Sequence, residues 1–123
     1  MRIALAQLNY IIGDFERNTA KIIETIEKCR QQHADLVVFA ELSVCGYPPR
    51  DFLEFDDFIL KCYNAVDAIA SHCVGIAAVV GAPSRNPDNK GKSLFNSACL
   101  LADGKVQART HKALLPTYDI FDE

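Results

Sequence analysis

The sequence predicts one α/β domain, or one part of such a domain, built around a mostly buried sheet. Short apolar runs of strand length alternate with longer stretches whose apolar residues recur at spacings of three and four, as on one face of a helix. The last two apolar runs flank an Asp-Gly pair, which is typical of a β-hairpin turn. Half of the 123 residues are hydrophobic, and a chain of this length can bury a core. We therefore expect strand, helix, strand, helix, strand and hairpin, in that order, without an internal repeat or a linker.

The first part of the chain predicts two strands separated by a helix. Residues 2–8 (RIALAQL) are typical of a strand. Gly13 and Asp14 break it, and either Asp14 or Asn18 is expected to cap the following helix. The apolar stripe of that helix consists of Ile22, Ile23, Ile26 and Cys29. Residues 35–40 are so uniformly apolar that they predict a strand buried on both faces.

The second part predicts a helix, a strand and a hairpin. The helix begins near Glu54 and carries one apolar stripe, formed by Phe55, Phe58, Ile59, Cys62, Val66, Ile69 and Cys73. Residues 75–82 (GIAAVVGA) predict another buried strand, and residues 83–93 predict a loop because Pro, Asn, Asp and Gly alternate there with charged residues. LFNSACLLA (94–102) and KVQART (105–110) flank the predicted turn at Asp103-Gly104.

Composition narrows the class of protein. The net charge is −3, with 13 Lys and Arg against 16 Asp and Glu, so we expect no nucleic-acid partner. No apolar run reaches the roughly 18 residues of a membrane helix, and the N-terminus is a poor signal peptide, so we expect a cytoplasmic protein without a membrane partner. The five cysteines form an odd number without a CxxC pair and are expected to be small buried apolar residues.

Two charged residues stand where reactive groups gather in α/β proteins. Glu41 directly follows the predicted strand 35–40 and precedes a loop that two prolines stiffen, GYPP (46–49). Lys112 comes just after the second predicted hairpin strand, ahead of apolar residues and Pro116, and a cation fixed there could stabilise developing negative charge. A solvated glutamate and an exposed strand-end lysine are the alternatives.

The histidines and cysteines match no known pattern of a metal site or of a thiol protease. Cys29, His33, His72 and Cys73 match no zinc spacing, so we expect no metal. His111 and the cysteines lack the local signatures of thiol proteases. GxGxxG and GxxxxGK[ST], which would indicate a site for nucleotide phosphates, are both absent from the sequence.

Taken together, three blocks resemble the nitrilase (carbon–nitrogen hydrolase) superfamily. The blocks stand in the same order as in that superfamily: RIALAQLN…GD…N, then FAELSVCGYPPRDFL, then HKALLPTYDIFDE. The resemblance implies a four-layer αββα sandwich, of which this chain contains only the N-terminal part, and a Glu–Lys–Cys triad. Glu41 and Lys112 match the first two members; Ala40 stands where the family often has proline. The nucleophilic cysteine of the family lies well C-terminal of the lysine motif, so it is not in this chain.

Three shorter stretches are similar to the glutaminase domains of the glutamine-dependent NAD+ synthetase family, namely GYPPRDFL, SLFNSA and LPTYDIFDE. The similarity implies that residues 1–123 are the N-terminal portion of a domain that hydrolyses glutamine. It implies further that Tyr47, Tyr118 and Phe121 line the glutamine pocket and that Glu123 is an acid supporting the lysine. A C-terminal synthetase domain, absent here, would use ATP and Mg²⁺, and the full-length protein would form homo-oligomers. We expect no cofactor in this segment itself.

Two alternatives remain open. One is a stand-alone nitrilase-type amidase that acts on another small amide, and the other is a non-catalytic interaction module that keeps the nitrilase fold. If the nucleophile is missing, the isolated segment is expected to be inactive.

Overall fold

The computed structural model describes residues 1–11, 14–40, 43–45, 55–85 and 94–113. Within these ranges the chain forms β1 (Ile3–Leu5), α1 (Phe15–Gln31), β2 (Leu36–Val38), α2 (Phe55–Ala70), β3 (Ala77–Arg85), β4 (Leu94–Ala102) and β5 (Lys105–Ala113). The described strands make a five-stranded sheet in the order β1-β2-β3-β4-β5. β1, β2 and β3 are parallel, whereas β4 and β5 are antiparallel to their neighbours. The predicted order of elements is therefore confirmed.

Helix α1 begins at a polar cap, and its C-terminal end contacts the segment that follows the C-terminus of α2. The Asp14 side chain accepts a hydrogen bond from the Arg17 backbone N–H at 3.0 Å, so Asp14 is the cap and Asn18 has another role. At the other end, the Arg30 guanidinium donates to the backbone carbonyls of Val74 and His72, which follow α2. These carbonyls have no helical partner of their own, and the cation satisfies them.

Both helices cover the same face of the sheet. β1, β2 and β3 lie side by side in chain order, and right-handed crossovers in one direction place α1 and α2 on one side. The predicted helix stripes are confirmed where they are described: Ile22 and Ile26 of α1 and Val66 and Ile69 of α2 are fully buried in one core. The sheet row beneath them, taken across all five strands, consists of Ala4, Val37, Ala78, Leu101 and Val106.

The opposite face of the sheet is open, and the prediction that 35–40 is buried on both faces is wrong for these residues. One row of this open face runs through Leu5, Val38, Val79, Leu100 and Ala108. Leu5 is 77% exposed and Leu100 38%, while Val38 is half-buried. The apolar composition of β2 suits a sheet that is covered on both faces. The described residues supply one of these covering layers, formed by α1 and α2.

The limits of four strands differ from the prediction, and β2 (Leu36–Val38) is shorter than the predicted 35–40. β1 spans three residues rather than the seven of 2–8. β3 continues through Pro83 to Arg85, into the predicted loop 83–93, because it pairs only with β4 beyond Val79 and the missing N–H of proline interrupts no ladder on the other side. The hairpin is confirmed, with positive φ at Asp103 and Gly104, and β5 extends to residue 113. In the described part of the chain, neither helix combines the length and apolar character of a membrane span.

Candidate active site

The topology brings the end of β2 and the end of β5 to the same edge of the sheet. β2 and β3 run in the same direction, and β5, twice reversed, runs that way as well. Position 41 follows the end of β2, and Lys112 is the last residue but one of β5. Carboxyl ends of strands at one sheet edge are where α/β proteins assemble their sites.

Glu41 lies outside the described residues, but the chain on either side of it is fixed by hydrogen bonds. Before it, Phe39 N–H donates to the Val79 carbonyl at 2.9 Å. After it, Ser43 N–H donates to the Ala40 carbonyl at 3.2 Å, which joins the two sides within one turn. The buried Ser43 hydroxyl then accepts from Gly81 N–H at 3.1 Å, and Val44 N–H donates to the Gly81 carbonyl at 3.1 Å. β3 thus holds both flanks of Glu41.

Asn18 adds a bond from the helical layer. Its side chain is fully buried. The side-chain oxygen accepts from Ile11 N–H at 2.9 Å, and the side-chain nitrogen donates to the carbonyls of Ile11 at 2.8 Å and Val44 at 3.3 Å. One amide therefore connects the segment after β1, helix α1 and the segment that follows Glu41.

Tyr10 also approaches this region. Burial raises the pKa of its phenol, and the backbone of Ala40, the residue before Glu41, lowers it in part. The tyrosine ring packs at the rim of the main core.

Lys112 is placed within a regular strand, which corrects the expectation that it comes just after the second hairpin strand. Its backbone pairs with Asn96 of β4, which pairs in turn with Pro83 of β3. This row lies two residues beyond the row that contains Gly81. With strands about 4.8 Å apart and residues about 3.4 Å apart along a strand, the backbones of Gly81 and Lys112 are separated by about 12 Å.

A cluster of three polar side chains lies beside Lys112. Ser97 Oγ is 2.7 Å from His111 Nδ1 and 2.5 Å from Ser84 Oγ, and Ser84 Oγ is 3.2 Å from the same ring nitrogen. Both serines are buried, one on β3 and one on β4, whereas His111 is exposed on β5. The cluster ties three strands together at the edge where Lys112 lies.

The buried cysteines of the described residues are poor nucleophiles. Cys45 and Cys62 are fully buried in a small cluster with Phe58 and Ile59. The pKa of Cys62 is raised by its hydrogen bond with Cys45 and by burial. Burial raises the pKa of Cys73 to about 11 and also raises that of Cys99, against the opposing effects of nearby arginines. Since the thiolate is the reactive form, these three thiols are held in the inert state.

The remaining predicted residues, Tyr47, Tyr118, Phe121 and Glu123, lie outside the described residues, as does Glu41 itself. Their roles stay predictions. Within the described ranges, no three His, Cys, Asp or Glu side chains come together as a metal site requires. Sequence reasoning missed the contacts of Asn18, Ser43 and the Ser84–Ser97–His111 cluster. The blocks GD…N and SLFNSA contain two of these residues and were the available signal.

Comparison with known proteins decides the family. The family model described as carbon-nitrogen hydrolase matches residues 2–122. The chain belongs to the carbon-nitrogen hydrolase family. A glutamine-dependent NAD(+) synthetase of Xylella fastidiosa (strain Temecula1 / ATCC 700964) is 41% identical over 124 residues, which cover all of this chain and 22% of that protein. The chain thus spans about a fifth of the length of the curated relatives that it matches.

Two solved structures have a similar fold. A glutamine-dependent NAD+ synthetase from Acinetobacter baumannii, solved in complex with ADP, matches with a TM-score of 0.78 and 37% identity, covering 98% of this chain and 22% of that one. A mutant amidase of the nitrilase superfamily from Nesterenkonia matches with a TM-score of 0.74 and 28% identity, covering 91% of this chain and 42% of that one. The described sheet and its two helices therefore correspond to the N-terminal part of the nitrilase fold, as the sequence predicted.

Proposed function

We propose that this chain forms part of a glutaminase that hydrolyses the side-chain amide of glutamine and supplies ammonia for the ATP-dependent amidation of deamido-NAD+ to NAD+. The observation that carries the proposal is the shared sheet edge, since the topology brings the end of β2, which Glu41 follows, to the edge where β5 presents Lys112. The similarity to glutamine-dependent NAD+ synthetases over the whole chain supports the choice of glutamine.

In this proposal Glu41 is the general base and Lys112 the oxyanion stabiliser. A cysteine thiol attacks the carboxamide carbon of glutamine and its proton passes to the Glu41 carboxylate. The Lys112 ammonium stabilises the oxygen of the tetrahedral intermediate. Glu41 returns the proton to departing ammonia, and it then activates a water that hydrolyses the thioester to glutamate.

The nucleophile is expected outside residues 1–123. Among the described cysteines, Cys62, Cys73 and Cys99 have raised pKa values, and Cys45 is fully buried against Cys62. We propose that Tyr47, Tyr118 and Phe121 line the glutamine pocket and that Glu123 supports Lys112. ATP and Mg²⁺ would act in a separate C-terminal synthetase domain of the same polypeptide, and this domain would receive the ammonia. The full-length polypeptide would form homo-oligomers.

The test uses the complete polypeptide that the gene encodes. Glu41→Gln removes the base and Lys112→Met removes the cation, and each is expected to lower the rate of glutamine hydrolysis by at least about 100-fold. NAD+ formation with ammonium chloride in place of glutamine should stay within about twofold, because that step does not need the glutaminase site.

Glu24→Gln and Lys105→Met are the matched controls. Glu24 lies on the exposed side of α1, and Lys105 lies at the start of β5, seven residues before Lys112. Both should leave both activities unchanged. Retention of glutamine hydrolysis by Glu41→Gln would refute the assignment of the base. Hydrolysis of another small amide but not of glutamine would favour the amidase alternative, and no hydrolysis by the wild-type polypeptide would favour the interaction module.

A further inference from the structure

We infer that Asn18 is a positioning residue for Glu41, an inference that rests on the proposed function. Its side chain, on the first turn of α1, bonds to the segment that follows Glu41 and to the segment that follows β1. It would act on Glu41 through the backbone at Val44.

The burial of Asn18 shows that its contacts are specific. An asparagine in the first turns of a helix is usually at the surface, where water satisfies its amide. Asn18 is 0% exposed, so its polar atoms depend on protein partners. Both N–H groups are used, one by the Ile11 carbonyl and the other by the Val44 carbonyl, and its oxygen accepts from Ile11 N–H.

Only an amide satisfies this arrangement. The oxygen must face the Ile11 N–H donor and the nitrogen must face two carbonyl acceptors, which fixes the orientation of the amide. Aspartate has the same shape but would bring negative oxygen against the Ile11 and Val44 carbonyls. Alanine would leave Ile11 N–H without this acceptor.

The other bonds of the segment do not replace the contact with Asn18. The Ser43 hydroxyl and the Val44 N–H both bond to Gly81 of β3, so these two bonds anchor the segment to the sheet layer. Asn18 anchors it to the helical layer, and the two directions together fix where the segment sits. A displacement of a catalytic group by about 1 Å can reduce the rate of the reaction by about 100-fold. Loss of the Asn18 bond at Val44, three residues after Glu41, is therefore expected to affect catalysis.

The experiment compares Asn18→Ala and Asn18→Asp in the complete polypeptide. Both are expected to lower kcat for glutamine hydrolysis by about 10- to 100-fold with KM changed by less than about threefold, because the base is misplaced while the pocket remains. Asn18→Asp keeps the acceptor for Ile11 N–H, so an equal loss in both variants assigns the effect to the donated bonds.

Amide hydrogen exchange provides the local measurement. In both variants the peptide that contains residues 43–45 should exchange at least about tenfold faster, while peptides from α2 and β4 exchange as in the wild type. A residue that only stabilised the fold would change these peptides together.

Two control variants separate positioning from stability. Thr25→Ala removes another side-chain bond on α1, from Thr25 Oγ1 to the Lys21 carbonyl at 2.9 Å, and Ile26→Val reduces a fully buried core residue on the same helix. Both are expected to keep kcat within about twofold. If they lose as much as Asn18→Ala, Asn18 acts only through stability and the inference is wrong.

The outcome for Glu41→Gln distinguishes the two proposals. If Glu41→Gln is inactive and Asn18→Ala keeps kcat within about twofold, the positioning role is refuted and the proposed function stands. If Glu41→Gln still hydrolyses glutamine, the assignment of Glu41 as the base is refuted and the positioning role falls with it.

Discussion

The segments that carry Glu41 and Lys112 are held in different ways. The residues around Glu41 follow a three-residue strand and depend on separate bonds from Asn18, Ser43 and Gly81. Lys112 belongs to a nine-residue strand whose backbone ladder with β4 extends from one end to the other. A segment fixed by a few separate bonds, some of them from side chains, is easily shifted by one substitution, whereas a strand fixed by a ladder is held by many bonds at once. We therefore expect catalysis to be sensitive to substitutions near Glu41 and tolerant of them near Lys112.

Ser43→Ala is expected to have the largest effect in this comparison. It removes the acceptor of Gly81 N–H at a buried site, which costs about 1–3 kcal/mol of unfolding free energy. Because Ser43 lies two residues after Glu41, we expect kcat for glutamine hydrolysis in the complete polypeptide to fall by about tenfold. Steady-state kinetics and urea unfolding measure the two effects.

Ser71→Ala is the matched control. The Ser71 hydroxyl also bonds to the backbone, in this case as the donor to the Ala68 carbonyl at 2.6 Å, but Ser71 is exposed and lies just after α2. It should change kcat by less than about twofold. An unchanged kcat in Ser43→Ala would show that β3 does not control the position of Glu41.

Alkaline pH provides a probe that is independent of both segments. Burial raises the pKa of Cys73 from 9.0 to about 11, and Cys73 lies after α2, with its carbonyl bonded to Gly104 of the hairpin turn. A group with a raised folded-state pKa stabilises the fold fully below its unfolded pKa, and this contribution is lost as pH rises through the folded pKa. Between pH 9 and 11 the loss should be about 2–3 kcal/mol, at about 1.4 kcal/mol per pKa unit.

Cys73→Ala tests the assignment by urea unfolding across the same pH range. The variant is less stable at neutral pH because it leaves a cavity, but its stability should fall less steeply from pH 9 to 11. Equal slopes in the variant and the wild type would assign the alkaline loss to the other buried thiols, Cys62 and Cys99.

Ser97→Ala should have the smallest effect. It removes the hydroxyl between Ser84 and His111 at a cost of about 1 kcal/mol, and Ser84 can still bond to His111. Lys112 keeps its ladder partner Asn96, so kcat should change by less than about twofold.

The kinetic comparison of Ser97→Ala with Ser43→Ala is the direct test of the contrast between the two segments. If Ser97→Ala lowers kcat as far as Ser43→Ala does, the strand does not fix Lys112 independently of the polar cluster.

The sequence was sufficient for the features that depend on local pattern. The stripe of α2, where it is described, and the hairpin at Asp103-Gly104 are confirmed because each follows from residue spacing or from the conformation that a turn demands. Two residues, Asp14 and Asn18, were predicted as candidates for the cap of α1, and the structure selects Asp14. The resemblance of its motifs predicted the carbon-nitrogen hydrolase family, which the family match confirms.

Features that depend on distant partners could not be predicted. The half-burial of Val38 depends on what covers the second face of the sheet, which no property of β2 encodes. The inclusion of Pro83 in β3 depends on β2 being too short to pair with it. For the candidate site, strand ends predicted where Glu41 and Lys112 belong, but the bond between Asn18 and Val44 joins residues 26 positions apart and leaves no periodic signal.

The open face of the sheet has a consequence for synthesis in the cell. Ile3 and Leu5, which are 56% and 77% exposed, belong to β1 and are synthesised about a hundred residues before Leu100, which joins the same surface. Throughout that interval the nascent chain presents an apolar strip that water solvates poorly and that chaperones recognise. The longer this strip stays exposed, the longer it is available to the wrong partner.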